Sequence, residues 1–187
     1  MAIVSRQGSV GADVANFFWE GSALGPIEVG CVASFLKQGF RVRLYSYRQL
    51  DVPLGVELRD ASEILPQANL SIYCQAGKSG NLAAFSDAFR YNLLERHGGW
   101  WFDADMLCMQ SSDKFEDLIA SKHPTFCAGF EDSEHINGAA LFAADPNVAK
   151  ALIDDLSSCG YTFGWGEIGP KLLTRVVARL DLRHVIE

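Results

Sequence analysis

The stretch FSDAFRYNLLERHGGWWFDADM, residues 85–106, decides the fold and carries the polar side chains on which the functional prediction depends. Its first part predicts a helix over 81–96, because Phe85, Phe89 and Leu93 recur every fourth residue and therefore form one apolar stripe. Two glycines follow and end this helix. The next element is an aromatic run typical of a buried strand, so the stretch predicts a helix, a tight turn and a strand in direct succession.

Two acidic residues lie within that strand, which we predict over 100–109 (WWFDADMLCM). In a regular strand Asp103 and Asp105, two positions apart, would share one face. Two buried carboxylates are unfavourable unless a positive charge neutralises them. A hard divalent cation, Mg²⁺ or Mn²⁺, takes oxygen ligands of this kind and in turn holds phosphates. The alternative is two solvated acids in a turn, which so short a motif does not exclude.

The preceding helix carries a second polar pair, Asp87 and Arg90, three residues apart. The pair fits an exposed ion pair worth at most about 1 kcal/mol. It equally fits a carboxylate and a guanidinium that face the same pocket and hydrogen-bond a polyhydroxylated ligand. Both interpretations stay open at this point.

Upstream of this stretch, strands and helices alternate. VANFFW over 14–19 predicts a buried first strand, Pro26 to Gly39 a helix, and RVRLYSY over 41–47 a second strand. Residues 66–80 mix turn formers with the short run SIYC, so we predict irregular structure there with SIYC as a candidate strand.

Downstream, the pattern predicts further strands and helices. They are a short helix near 113–120, strands near 125–130 and 138–143, a helix over 147–157 and a last helix from Pro170. The order implies an α/β fold, with a mainly parallel sheet flanked by helices, in a single domain over 1–187. Ligands of such sheets bind at the carboxyl ends of the strands.

Composition excludes several classes of protein. The 187 residues include 16 Lys and Arg against 23 Asp and Glu, for a net charge of −7, and 49% are hydrophobic. This is typical of a globular domain. The acidic balance argues against a nucleic-acid partner, whose binding surface would need clustered basic residues.

The chain also lacks the patterns of exported and membrane proteins. No apolar run reaches about 18 residues and the first residues resemble no leader, so we expect no transmembrane helix and a cytoplasmic location. The odd number of cysteines, with no CxxC spacing, indicates free thiols in a reducing compartment. The five cysteines are Cys31, Cys74, Cys108, Cys127 and Cys159.

The pattern S-D-x-x-R-Y-x-x-L-x-x-x-G-G-x-W-x-D-x-D, residues 86–105, resembles the signature of a family of sugar transferases named for the Asp-x-Asp motif (glycosyltransferase family 32 type). That family includes initiating α-1,6-mannosyltransferases of yeast, α-1,4-galactosyltransferases and bacterial capsule or lipooligosaccharide transferases, with the large clostridial glucosylating toxins as distant relatives. The segments FFWEGSALGPIEVGCVASFLKQGFRVRLYSY, ASEILP, INGAALFA and WGEIGPKLL also resemble parts of this family. The resemblance covers about residues 14–180.

The resemblance implies a GT-A fold and a hexosyltransferase. It implies a nucleotide-sugar donor, expected to be a UDP-sugar, a divalent metal (Mn²⁺ or Mg²⁺), and transfer to a saccharide acceptor with retention of anomeric configuration. The setting would be bacterial polysaccharide or lipooligosaccharide synthesis, with peripheral membrane association through a lipid-linked acceptor left open. Many relatives continue beyond the position of Glu187, so we expect a C-terminal segment to be missing here.

The resemblance also implies roles for individual residues. By motif position, Asp105 coordinates the metal, and Asp103 bridges the metal and the ribose. Asp87 and Arg90 match donor-sugar contacts, with Ser86 beside them.

Further positions keep two interpretations. Trp19 either stacks on or near the base or is a core aromatic residue at the strand end. Asn137 and Glu167 face the acceptor or are a turn residue and a first-turn helix acid. Each histidine is a candidate metal ligand, although His97 fits a helix C-terminus better. The others are His123, His135 and His184.

Two alternatives to a transferase remain. FDADML superficially resembles the nucleophile motif of haloacid dehalogenase-type phosphatases, although Met106 stands where Thr or Val is usual. The chain also fits a non-catalytic relative that binds a nucleotide sugar or carbohydrate without transferring it.

Overall fold

A six-stranded sheet organises the chain. The computed structural model describes residues 11–76, 82–160 and 163–182. The strands are β1 (Val14–Phe18), β2 (Arg41–Ser46), β3 (Val56–Asp60), β4 (Gly99–Phe102), β5 (Phe126–Phe130) and β6 (Ile136–Ala143). Their order across the sheet is β3-β2-β1-β4-β6-β5. The helices are α1 (Pro26–Lys37), α2 (Asn69–Ala76), α3 (Ala83–His97), α4 (Ser112–Lys122), α5 (Pro146–Ser158) and α6 (Pro170–Arg179), with a 3₁₀ turn at Ala61–Glu63.

Four of the strands, β3, β2, β1 and β4, are parallel, and β6 runs antiparallel between β4 and β5. Core side chains of α1 and α4 cover one face of the sheet, and those of α3, α5 and α6 cover the other. The predicted α/β fold with a mainly parallel sheet is therefore confirmed. Because β1 and β4 are parallel neighbours, their carboxyl ends lie side by side, where ligands of α/β sheets bind.

The aromatic run of β4 divides between the two faces because side chains alternate along a strand. Trp100 packs edge-on against Phe115 of α4, with 5.1 Å between ring centroids, and Phe102 lies on the same face. Trp101 points to the opposite face, where its ring lies 6.2 Å from that of Phe89 in α3. The predicted apolar stripe of α3 is confirmed, since its side chains are fully buried.

The structure corrects the prediction for three segments. Residues 66–80 contain helix α2 where SIYC was a candidate strand, because Leu70 and Tyr73, three positions apart, both pack against the core. The predicted strand 100–109 ends at Phe102, since a backbone turn begins directly after it. Strand β3 had no sequence prediction; it is an edge strand with alternating charged residues, so it lacks a strong apolar pattern.

The described cysteines fit the prediction of free thiols. Cys31, Cys108 and Cys127 are buried and unpaired, and Cys159 is partly buried. The side chain of Cys74 lies outside the described residues. In the part of the chain that the structure describes, no helix is long and apolar enough to cross a membrane.

The turn before β4 requires glycine. Gly99 has a φ of +79°, and an added Cβ would lie 3.0 Å from the carbonyl oxygen of Gly11. We expect Gly99→Ala to lower the free energy of unfolding by about 1–3 kcal/mol, measured by urea denaturation, since left-handed backbone alone costs about 1–2 kcal/mol. The control is Gly30→Ala in α1, where an added Cβ meets nothing within 4 Å. This variant should gain up to about 1 kcal/mol, and equal midpoints for the two variants would contradict the prediction.

Candidate active site

The two acids of the Asp-x-Asp motif lie in a turn directly beyond β4. The backbone N–H of Asp103 donates to the carbonyl of Ala139 in β6 at 2.8 Å, and Met106 N–H donates to the carbonyl of Asp103 at 3.0 Å. Asp103 is therefore held by the sheet, whereas Asp105 lies at the exposed part of the turn. The expectation that both carboxylates share one face of a regular strand is wrong, because the strand has already ended.

The guanidinium of Arg90 lies inside the protein, with its side chain only 7% exposed. Its Nη1 donates to the carbonyl of Gly138 at 2.5 Å, and its Nη2 donates to the Ser86 hydroxyl at 3.1 Å. The same group lies over the Trp101 ring, 5.2 Å from the centroid, where a cation is favourable. Arg90 thereby connects α3, β4 and β6.

Two carboxylates flank this cation. Arg90 Nη2 is 3.1 Å from Asp103 Oδ1 and 3.5 Å from Asp87 Oδ1. Burial lowers the pKa of Arg90, but the two carboxylates more than offset it, so its pKa is raised overall. Burial raises the pKa of Asp87 to about 6, against the opposing effect of Arg90 and with a further increase from Asp103. The interpretation of Asp87 and Arg90 as an exposed ion pair is therefore wrong.

The carboxylate of Asp103 is oriented through one oxygen. Trp101 Nε1 donates to its Oδ1 at 2.9 Å, the oxygen that also faces Arg90. Among the described residues, none donates a hydrogen bond to Asp103 Oδ2 or to the carboxylate of Asp105. Three carboxylate oxygens are thus left for a ligand.

A cavity of about 370 Å³ lies beside β1 and the Asp-x-Asp turn. Its lining includes Trp19, Ser86, Asp103 and Asp105 together with two acids that the sequence analysis did not single out, Glu20 and Glu28. No basic residue is among the described residues that line this cavity. It is therefore strongly acidic.

Trp19 forms part of the wall of this smaller cavity while also packing partly against the core. Its Nε1 donates to the carbonyl of Ala23 at 2.9 Å. A Cβ at Gly21 would lie 2.5 Å from that nitrogen, so the glycine leaves room for the indole. The ring is thereby fixed at the cavity edge.

A second cavity, of about 410 Å³, also has Asp103 in its lining. Its lining includes Asp87, Arg90, Asp103, Asn137 and Trp165. The two cavities share Ala83 and Asp103 in their linings, so they meet there. Each of the six predicted site residues therefore lines at least one of the two adjoining cavities.

The structure places only one of the two candidate acceptor-side residues, Asn137 and Glu167, in the cavity lining. Asn137 lines the larger cavity, and its Oδ1 accepts from the N–H of Ala139 at 2.6 Å. Glu167 does not line it; its Oε2 accepts from the N–H of Gly164 at 2.6 Å and closes a turn. Trp165 was not predicted from the sequence as a site residue, although an aromatic residue between two glycines, Gly164 and Gly166, is an identifiable signal.

None of the described histidines lines either cavity. His97 is at the C-terminus of α3, where burial and nearby arginines lower its pKa. His123 is the left-handed C-cap of α4, with φ +47°, and His135 lies 3.0 Å from Asp132. His184 is outside the described residues. None of the three described histidines is placed to bind a metal at the Asp-x-Asp turn.

The donor set at this turn fits a hard cation. Within residues 11–76, 82–160 and 163–182, no group of three or more His, Cys, Asp and Glu side chains is placed to hold a metal ion. Mg²⁺, however, is usually bound by one or two carboxylates, with substrate phosphates and waters completing the shell. Asp103 and Asp105 provide two carboxylates of this kind, with three oxygens to which no described residue donates a hydrogen bond.

The chain resembles known proteins in sequence and in fold. The model of a family described as "Capsular polysaccharide synthesis protein" matches residues 74–142, which include α3, β4 and the Asp-x-Asp turn. A solved structure described as "PaToxG Glycosyltransferase" is similar with a TM-score of 0.61 and 11% identity, over 90% of this chain and 68% of that one. Its likeness confirms the fold class. No curated protein matches. The two matches support a glycosyltransferase.

The raised pKa of Asp87 predicts a pH dependence of stability. The native protein binds the proton with a pKa of about 6 instead of the ordinary 3.8. Between about pH 4 and pH 6 it therefore holds more protons than the unfolded chain, so the free energy of unfolding falls as the pH rises. Asp87→Asn should remove this fall, which is at most about 3 kcal/mol, in urea titrations from pH 4 to pH 7. The control is Asp154→Asn at an exposed site on α5, which should keep the fall. If the fall persists in Asp87→Asn, the raised pKa does not belong to Asp87.

Proposed function

We propose that this protein is a metal-dependent hexosyltransferase. It transfers a hexose with retention from a nucleoside-diphosphate sugar, expected to be a UDP-sugar, to a saccharide acceptor. The observation that carries the proposal is the pair of cavities that adjoin at Asp103, one acidic and flanked by an indole, the other lined by polar and aromatic side chains. Such a pair suits a donor with two chemically different halves.

The smaller cavity suits the nucleotide. The exposed part of the Trp19 ring offers an aromatic face to a base, and Ser86 and Asp103 belong to the same lining. An acidic cavity would repel a diphosphate unless a cation lay between them. The acidity of this cavity therefore supports metal dependence, with Asp103 and Asp105 as the residues that would hold the metal.

The larger cavity suits the transferred sugar near Asp103. Asp87 and Arg90 line it and form a buried carboxylate–guanidinium pair, which offers hydroxyl groups both an acceptor and donors. Most N–H groups of the Arg90 guanidinium already face Ser86, Gly138 and Asp103. We therefore assign to this arginine chiefly the role of holding the Asp103 carboxylate in place. The pre-set orientation lowers the free energy needed to organise the site during reaction.

The chemistry follows from the charges. The bond between the anomeric carbon and the diphosphate breaks, the acceptor hydroxyl oxygen forms the new bond, and its proton leaves with the diphosphate. When bound, a divalent cation would stabilise the negative charge that develops on the leaving diphosphate. The carboxylates of Asp87 and Asp103, beside the sugar, would stabilise the positive charge that develops on it.

The biological setting belongs to the same proposal. The match to a capsule-synthesis family supports polysaccharide synthesis. We place this activity, or lipooligosaccharide synthesis, in a bacterial cytoplasm. A lipid-linked acceptor would bring the protein to a membrane surface.

Asp105→Asn should weaken Mg²⁺-dependent binding of UDP by more than about tenfold, since even outer-shell changes at metal sites cost about 10–100-fold. Calorimetry with and without Mg²⁺ measures this change. Stability should stay within about 0.5 kcal/mol, because Asp105 is exposed. Asp117→Asn on α4, an exposed acid that lines neither cavity, is the matched control. Equal Mg²⁺-dependent affinities for both variants would refute the metal assignment.

A thermal-shift panel tests the donor class. We expect UDP and UDP-sugars with Mn²⁺ to raise the melting temperature more than ADP, CDP or GDP, since ligand at about 100 times its Kd stabilises by about 2.7 kcal/mol. Hydrolysis or transfer assays on the stabilising sugar nucleotide follow. Binding without turnover would favour the non-catalytic alternative, and phosphate-ester hydrolysis without any nucleotide sugar would favour the phosphatase.

A further inference from the structure

The loop 163–169 presents a single large aromatic side chain to solvent at the larger cavity. Trp165 is 78% exposed and lines the cavity, whereas Phe163 and Ile168 on either side of it are buried. A lone exposed apolar residue needs no explanation. One that forms the wall of a cavity which also contains a buried carboxylate–guanidinium pair has the character of a binding site.

This loop is fixed in place by several contacts. Glu167 closes its turn through Gly164, and the Tyr91 hydroxyl in α3 donates to the carbonyl of Ile168 at 2.8 Å. Gly166 has a φ of +72°, a conformation that favours glycine. The Phe163 ring also lies 6.3 Å from that of Tyr73 in α2. The indole of Trp165 is therefore presented on an anchored backbone.

The larger cavity combines buried and exposed side chains. Its lining includes the buried Arg90 with its partner Asp87, which is only 14% exposed, and it also includes the exposed Trp165 and Glu131. Asn137 lies on the same lining with its Oδ1 already used, and its amide nitrogen donates to no described residue. The lining thus offers both a flat apolar face, at Trp165, and a hydrogen-bond donor, at Asn137.

We propose that Trp165 and Asn137 form the acceptor subsite, and that the acceptor presents a pyranose ring there. The ring would pack its C–H face on the indole, and one of its hydroxyl oxygens would accept from the Asn137 amide. This assigns a saccharide, rather than a protein side chain or a lipid phosphate, as the group bound next to the reacting sugar. The role of the bound saccharide as acceptor rests on the proposed function, but the binding of a saccharide at this subsite does not.

Nuclear magnetic resonance of the four tryptophan indoles tests the subsite in the full chain. Trp165→Phe identifies the Trp165 resonance. Methyl glycosides of glucose, galactose and mannose, and the disaccharide lactose, are then titrated in the presence of UDP and Mg²⁺. We expect at least one of these saccharides to shift the Trp165 indole resonance in a saturable way. If none of them shifts it, the proposal is overturned.

Variants separate stacking from general effects on the fold. Trp165→Ala should weaken binding of that saccharide by about tenfold, the usual loss for a large aromatic contact, as measured by saturation-transfer difference titration. Trp165→Phe should retain most of the affinity. Leu54→Ala, at a fully exposed leucine outside the cavity, should match the wild type. Wild-type affinity in Trp165→Ala would overturn the subsite.

Measurement of UDP affinity in the same samples separates this inference from the proposed function. Trp165→Ala should leave the affinity for UDP within about twofold of the wild-type value. The reason is that Trp165 lines only the larger cavity, whereas the nucleotide is assigned to the smaller one. Saccharide binding that depends on Trp165 in a protein that binds no nucleotide would support the subsite and contradict the nucleotide-sugar proposal. A UDP affinity that falls along with that for the saccharide would indicate a collapsed loop and would overturn the direct contact.

Discussion

The buried guanidinium of Arg90, between the carboxylates of Asp87 and Asp103, is the interaction on which the site depends. A charge removed from water is tolerated only when its partners are in place, and removing one partner of a buried pair costs about 3–5 kcal/mol. The partners come from α3, the end of β4 and, through the Gly138 carbonyl, β6. The requirement to satisfy one cation therefore fixes the relative positions of three elements, and with them the border between the two cavities.

The acids of the neighbouring cavity are not balanced by a basic residue among the described residues that line it. Arg90 already faces two carboxylates, and the four acids that line the smaller cavity include only one of these, Asp103. Glu20 is paired with Arg48 through one oxygen at 3.6 Å, while its other oxygen is buried without a partner. These carboxylates lie together with no basic residue among the described residues of the lining, an arrangement that is unfavourable unless a positive charge neutralises it.

Local pattern was sufficient to predict the central unit, because α3 buries an apolar stripe with a regular period and β4 is a short aromatic run that is buried on both faces. It was insufficient where tertiary contacts decide. β3 is an edge strand with charged side chains, and α2 is stabilised by packing of Tyr73 on Phe85, with 6.2 Å between ring centroids. The motif placed Asp87, Arg90, Asp103 and Asp105 near one another, but the burial of Arg90 and the exposure of Trp165 depend on residues far away in sequence.

The close approach of Gly138 to Arg90 links two positions that are 48 residues apart. An added Cβ at 138 would lie 2.5 Å from Nη1 of the guanidinium, and one at Gly169 would lie 2.7 Å from Oδ2 of Asp87. Each charged side chain thus occupies the space that a glycine leaves empty. In related chains the residues at these paired positions should vary together, so that a larger residue in place of either glycine marks a protein that has lost this charged cluster.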